Sequence, residues 1–423
     1  MGETAVRVLL ACCLLFAGCD VPILRPTETG IGDAGTLSSG ACHANLVVAA
    51  TDSVQSANIG IMDSDGSVLS YSVLSSGSVK AGFSTALGGD LAFPSGAASS
   101  TEIAVLDRYP GSVITWLDAS NARVRAQLSV STGFAANPHD YVPVAADKAF
   151  VTRFDSNPLP GRVPFDGGGD LLVVNPQTAE IQRRIDLSTV LTPVGEHFAH
   201  PDRARLIQGL VYVVVPFYDA RHRSGASYLA VLDPHSEQVT ETLQLQGVTG
   251  CSGMDVAPDG ESVAVACSGS WQGTTRSQAD SSAIVGVAIT PRLRDIWRGS
   301  PSSDTRAFGF ALAFADSTHV LVTKLGDLGP PVVNDAVQLV EIRQGQATTL
   351  FESAGKPASL SLGPCLVHCR QCFIADASRS QVVRLELSPN GAHALTPFTW
   401  LDPVGLPPRE LTLLGPSPAA SAY

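Results

Sequence analysis

Lysine is nearly missing from this chain. Of 27 basic residues, only Lys80, Lys148, Lys324 and Lys356 are lysines. Charge as a whole is sparse: Asp, Glu, Lys and Arg make up 16% of the 423 residues, and the formal net charge is −12. An acidic surface repels a phosphate backbone, which excludes nucleic acid as the expected partner. Beyond the N-terminal region no apolar run is long enough for a transmembrane helix. Nowhere does a 3.6-residue apolar period persist, so a helical fold is excluded. Several catalytic signatures are also missing. There is no G-x-S-x-G elbow, no H-E-x-x-H, no P-loop, and no G-x-G-x-x-G between a strand and a helix.

What the chain does have is glycine (39 residues) and proline (28 residues), with 44% hydrophobic residues. That mixture suits many short strands joined by turns. Its N-terminus reads as an export signal. In "VRVLLACCLLFAGCD" a single Arg7 precedes a short apolar run that ends at Ala17-Gly18-Cys19. Small residues before a cysteine resemble the bacterial lipobox, so Cys19 is the expected lipid attachment site. Ordinary secretion and an uncleaved anchor are the alternatives. The expected organisation is a signal peptide over 1–18, a flexible tether over 19–41, one folded domain over 42–416 and a disordered tail over 417–423. The tether is rich in Gly, Ser, Thr and Pro and has little to bury.

One motif recurs through the rest: a β-run, a polar turn, and a second β-run. Its turns fall at Asp63, Asp118, Asn175, Asp233, Thr290, Arg343 and Ser388, which are 55, 57, 58, 57, 53 and 45 residues apart. Between these hairpins lie others that are apolar on both arms, such as "YVPVAADKAFVTRF" and "GMDVAPDGESVAVACSGS". Each repeat therefore carries four antiparallel strands, A to D, with A innermost. Four-stranded sheets repeated at this interval predict a β-propeller. The first repeat begins at its B strand ("ANLVVAA"), and a lone strand, "PRELTLLG", ends the chain. The expected fold is thus all-β: a seven-bladed propeller of four-stranded antiparallel blades, with the C-terminal strand completing blade one and closing the ring. Strands A and B are expected to be buried on both faces, and C and D to alternate.

The segments "DRYPGSVITWLD", "GRVPFDGGGDLLVVNP" and "CSGMDVAPDGESVAVACSG" resemble YVTN-type seven-bladed propellers, and among them uncharacterised propeller lipoproteins of Gram-negative bacteria. The resemblance spans about residues 43–415. It implies a fold and a repeat type, and brings no catalytic residue with it.

Six cysteines remain once Cys12, Cys13 and Cys19 are set aside. An even number in an exported chain reads as disulfides. Cys251 and Cys267 flank one hairpin, and a bridge between them contributes about 3 kcal/mol in the chain-entropy model. Cys42 is expected to bond into the cluster Cys365, Cys369 and Cys372, with the choice of partner open. A metal or redox reading of "CLVHCRQC", with His368 as a ligand, is the alternative.

In a propeller the B–C and D–A connections share one face, and here the long segments fall on it, including 153–169, 188–202, 217–227, 268–281 and 324–335. Variable loops on a rigid scaffold are where binding usually sits. Candidate binding residues on this face and at the channel mouth are His139, Asp140, Arg153, His200, Asp202, Tyr218, Trp271, Arg409 and Glu410. Asp155, Asp166 and Asp170, in a Gly-rich loop, are the weak candidates for a metal, and calcium is the ion that would suit them. No other cofactor is expected. The leading expectation is a lipid-anchored, exported, monomeric propeller that binds an envelope protein or a glycan on this face. One alternative is a hydrolase or lyase with a metal at the channel mouth near His139 or His200. The other is a structural part of an envelope complex.

Overall fold

The computed structural model of the chain describes residues 42–96, 101–189, 191, 196–270, 275–301, 306–329, 331–355, 359–388 and 392–415. The expected signal peptide, Cys19, the tether, the C-terminal tail and Trp271 lie outside the described residues.

The strands form seven sheets arranged as a propeller. Blade one combines Pro408–Leu414 from the chain's end with Asn45–Thr51, Ala57–Asp63 and Val68–Ser75 from its beginning. Asn45 pairs with Leu414 on one side and with Asp63 on the other, so the last strand is the innermost one of the first blade. The seven recurrent turns found in the sequence all join the third and fourth strands of a blade. The turn after Asp63 is a tight hairpin: Gly66 N–H donates to the Asp63 carbonyl at 2.9 Å, and Gly66 has φ +91°, which only glycine adopts cheaply.

Alternation along each strand sends neighbouring side chains to opposite sides of the sheet. In blade one Val47, Ile59 and Ile61 pack against Val105 and Leu117 of blade two. Their alternates Leu46, Val48 and Met62 pack against Phe373, Ala375 and Val382 of blade seven. Every adjacent pair of blades shares one such apolar cluster, the pair formed by blades seven and one included. A ring, unlike an open stack, has as many interfaces as blades.

Burial differs from the sequence expectation in one respect. The second and third strands are the ones buried on both faces, as in Asn45–Thr51, Ala57–Asp63, Val113–Asp118 and Ala283–Ala288. Innermost strands such as Leu360–Leu366 are only partly covered, because one of their faces lines the central channel. Outermost strands alternate, as in Gln238–Leu245.

Two inner strands depart from the regular pattern. That of blade two is only Leu91–Ala92. That of blade four is split into His197–Ala199 and Ala204–Ile207, although 188–202 reads as loop in the sequence. Pro201 has no N–H to give the ladder. Pairing continues around it: His200 N–H donates to the Pro216 carbonyl and Asp202 N–H to the Val214 carbonyl, both at 2.9 Å.

All six domain cysteines are bonded, as Cys251–Cys267, Cys365–Cys372 and Cys42–Cys369. The last joins residues 327 apart and ties the start of the domain to the A–B turn of blade seven. That turn and the start of Asn45–Thr51 lie on the lower face, where inner strands end. Inner strands begin on the upper face, and there the B–C and D–A connections emerge.

Candidate functional site at the upper channel mouth

The split strand of blade four turns His200, Asp202 and Arg203 toward the mouth, beside the start of the blade-three inner strand Pro138–Ala145. His139 lies flat on Phe154, with centroids 4.2 Å apart and planes 10° apart. Its Nδ1 is 3.2 Å from Asp202 Oδ1. Phe154 also meets His200 at 4.7 Å, and His200 meets Tyr218 edge-on at 5.2 Å. The result is an aromatic wall with two imidazoles in it, bordered by a carboxylate.

Electrostatics set the charge state of each group. Burial of His200, reinforced by His222 and His139, pushes its pKa down to about 4, so the ring is neutral at ordinary pH. Its Nδ1 is buried without a hydrogen-bond partner. Burial pushes the Asp202 carboxyl up, but His139, Arg203 and Arg108 outweigh it and hold the pKa below the usual value. Burial raises Asp155, against a hydrogen bond from Asn137 and the charges of His139 and His222. Burial also raises the Tyr218 hydroxyl well above its ordinary value.

Deeper in, the channel holds a cavity of about 200 Å³ lined by Arg203, Arg205, Asp255, Phe310 and Glu410 among others. Arg205 pairs with Asp255 at 3.1 Å. Arg203 lies 3.8 Å from Asp202, and its Nη1 reaches Ser95 Oγ and the His139 carbonyl, both at 3.4 Å. Burial raises the Glu410 carboxyl above its ordinary pKa, and Arg203 and Arg108 offset only part of that. Arg108 is itself held by Asp90, through Nε at 2.9 Å. Acidic and basic groups thus face one another across the mouth.

The structure therefore brings His139, Asp155, His200, Asp202 and Tyr218 together, with Glu410 across the channel. Other sequence candidates have different places. Asp140 is fully buried; Oδ1 accepts from the Ser95 and Tyr141 N–H groups and Oδ2 from that of Ala204, which joins three blades. Arg409 sits at the rim of blade one, where its Nε donates to the Thr51 carbonyl. Tyr218 packs half-buried within the cluster.

Arg153 is corrected outright. It is 0% exposed, grips Asp170 through Nε and Nη2 at 2.7 Å, and donates to Thr132 Oγ1 and the Phe165 carbonyl. It holds a loop from inside and cannot form part of a binding face. The three weak metal candidates have other partners. Asp170 is shared by Arg153 and Arg184, and Asp166 accepts the Gly161, Arg162 and Val163 N–H groups. Asp155 instead faces Asn137 and His139. The three carboxylates do not converge. Among the described residues, ligand atoms gather closely enough for a metal only at Cys42, His368 and Cys369 and at His43, Asp63 and Asp65, and neither His139 nor His200 belongs to those groups.

Sequence reasoning missed Phe154, Arg203, Arg108, Asp90 and His222. Phe154 was hidden because residues 153–169 read as loop, whereas strand Lys148–Ser156 carries it to the mouth. Arg203 had a signal in its place beside Asp202.

No protein-family model and no curated protein matches the chain. Solved structures do. A 6-phosphogluconolactonase-like protein of Bacteroides fragilis aligns with TM-score 0.55 and 10% identity, over 89% of this chain and 99% of the other. The periplasmic gluconolactonase of Pseudomonas aeruginosa aligns with TM-score 0.54 and 12% identity, over 88% and 99%. A protein of Lactobacillus plantarum gives 0.55 and 12%, over 88% and 99%. At such identity the likeness is one of fold.

Proposed function

We propose that this propeller binds a partner protein of the cell envelope through its upper face. One observation carries the reading: where the exposed apolar side chains lie. Fourteen large apolar side chains are exposed among the described residues, and all but Tyr71, Leu206, Ile296 and the channel-lining Phe310 are on the upper face. They include Val54, Tyr109, Leu159, Leu328, Leu401 and Val404, at 54% to 79% exposure. Single exposed apolar residues are ordinary, but a set gathered mostly on one face of a rigid ring suggests a recognition surface. The acidic and basic groups at the channel mouth would give that surface a polar centre.

The export signal expected from the sequence agrees with this. A tether acylated at Cys19 would leave the domain at Cys42 on the lower face. The apolar face would then point away from the membrane toward its partner, with the propeller acting as a monomer. Glu at Val54 and Leu401 together puts charge into the surface without touching the core. We expect the double variant to melt like the parent and to lose co-purification of the partner from crosslinked envelopes. Retained co-purification would contradict the reading.

The His139–Asp202 pair favours a second reading, hydrolysis of a small ester or lactone. Asp202 would orient the His139 ring by its Nδ1–H, leaving Nε2 to take a proton from water, and Arg203 would steady negative charge on the attacked oxygen. Fold neighbours bearing lactonase names raise this reading only by analogy. Release of acid from δ-lactones that is lost in His139→Gln would support it, and no turnover by the parent would dismiss it.

A further inference from the structure

The lower face carries a cluster that neither reading uses. Cys42, His368 and Cys369 place two sulfurs and an imidazole nitrogen within 4.8 Å of one another. The two cysteines are bonded to each other, and theirs is the one of the three bridges with an exposed cysteine. Cys42 is exposed and Cys369 half-buried; in the other two bridges only Cys365 is half-buried, and Cys251, Cys267 and Cys372 are 0% exposed. Thiol–disulfide exchange needs a thiolate to reach a sulfur, so access selects the bridge that opens first.

We infer that Cys42–Cys369 is a reducible clasp whose opening creates a binding site for a thiophilic divalent cation, formed by Cys42, Cys369 and His368. A dithiol reductant supplies the chemistry. One of its thiolates attacks one sulfur of the bridge, forming a mixed disulfide and releasing the other cysteine as a thiolate; its second thiolate then attacks the reductant's own sulfur in that mixed disulfide and displaces the first cysteine. The reductant leaves as its own disulfide, two electrons pass to the protein, and Cys42 and Cys369 become thiols. Cation binding then releases both thiol protons, because the thiolate is the ligand. Two thiolates and one imidazole suit zinc, with solvent in the fourth position. Oxidised, the start of the domain is pinned to blade seven by a covalent bond; reduced and loaded, it is pinned by the metal. Reduced without metal, it is released. The lower face would thereby couple the tether's attachment to redox state and zinc.

The test uses the purified protein, dithiothreitol as the dithiol and zinc ion as the probe. Brief reduction followed by alkylation and peptide mass mapping should label Cys42 and Cys369 before Cys251, Cys267, Cys365 or Cys372. Titration against a chromophoric zinc indicator should show one zinc taken up by the partly reduced protein and none by the oxidised one. His368→Ala should weaken uptake at least tenfold, and His43→Ala, a neighbour whose ring faces Asp65, should not. His368 is exposed, and an unchanged melting curve would show that His368→Ala folds. Earlier opening of another bridge, equal uptake by the oxidised protein, or unchanged affinity in His368→Ala would each overturn the inference.

Discussion

Replacing Arg153 with Met removes the buried centre of blade three while keeping most of its volume. The guanidinium is 0% exposed and makes a forked pair with Asp170, which is equally buried. Breaking a buried ion pair by deleting one partner costs about 3–5 kcal/mol. The Phe165 carbonyl and Thr132 Oγ1 lose a donor as well, at about 1–3 kcal/mol for a buried group left unpaired. Arg184 still holds Asp170 and offsets part of the loss. A net cost of about 4 kcal/mol follows, which corresponds to a fall of roughly 8 °C in melting temperature at about 2 °C per kcal/mol for a large domain. Arg153→Lys keeps the charge but cannot fork, so it should lose about half as much. Thermal unfolding followed by tryptophan fluorescence reads both. If Arg153→Met melts within about 2 °C of the parent, or if Lys replaces Arg without loss, the guanidinium is not the internal support described above, and a role for Arg153 at the surface reopens.

Acid should weaken the fold through His200. Its folded pKa is near 4 against about 6.5 unfolded, so between those values the unfolded chain binds the extra proton. Stability should therefore fall by roughly 3 kcal/mol as pH drops from about 6.5 to about 4, and His200→Gln should flatten that part of the profile in denaturant titrations. Leu413→Ala, in the closing strand, should cost about 2–4 kcal/mol in the same assay, because Leu413 is buried in the interface between blades one and seven. In hydrogen exchange, Asn45–Thr51 should lose protection in that variant before the strands of blade four do, since it pairs directly with the closing strand.

Much of the ring was legible because turn chemistry is local. Asp63, Asp118, Asn175 and Asp233 each accept a backbone N–H two residues on, and the turn pattern is written in adjacent residues. The closing strand was legible by elimination, since the first blade lacked an inner strand. The inner strands of blades two and four were not. Leu91–Ala92 is too short to show alternation, and Pro201 makes the blade-four strand read as loop. Pairing across the fold hid most of the site. Arg153 looked like a loop residue because its partner Asp170 lies on the neighbouring strand Gly168–Asn175. His139 and Asp202 come from different blades, and only the packing of blade three against blade four puts them 3.2 Å apart. The exposed apolar residues escaped notice singly, because they are scattered along the sequence and share a face only in three dimensions.

Face-resolved crosslinking tests the central claim most directly. A photoreactive amino acid placed at Val54, Leu328 or Leu401 samples the upper face; placed at Tyr71 or Ile296 it samples the outer strands; at His43 it samples the lower face. The account predicts that, in intact cells, the upper-face positions yield one common adduct band and the others do not. Adducts from Tyr71, Ile296 or His43 with silence from the upper positions would contradict it.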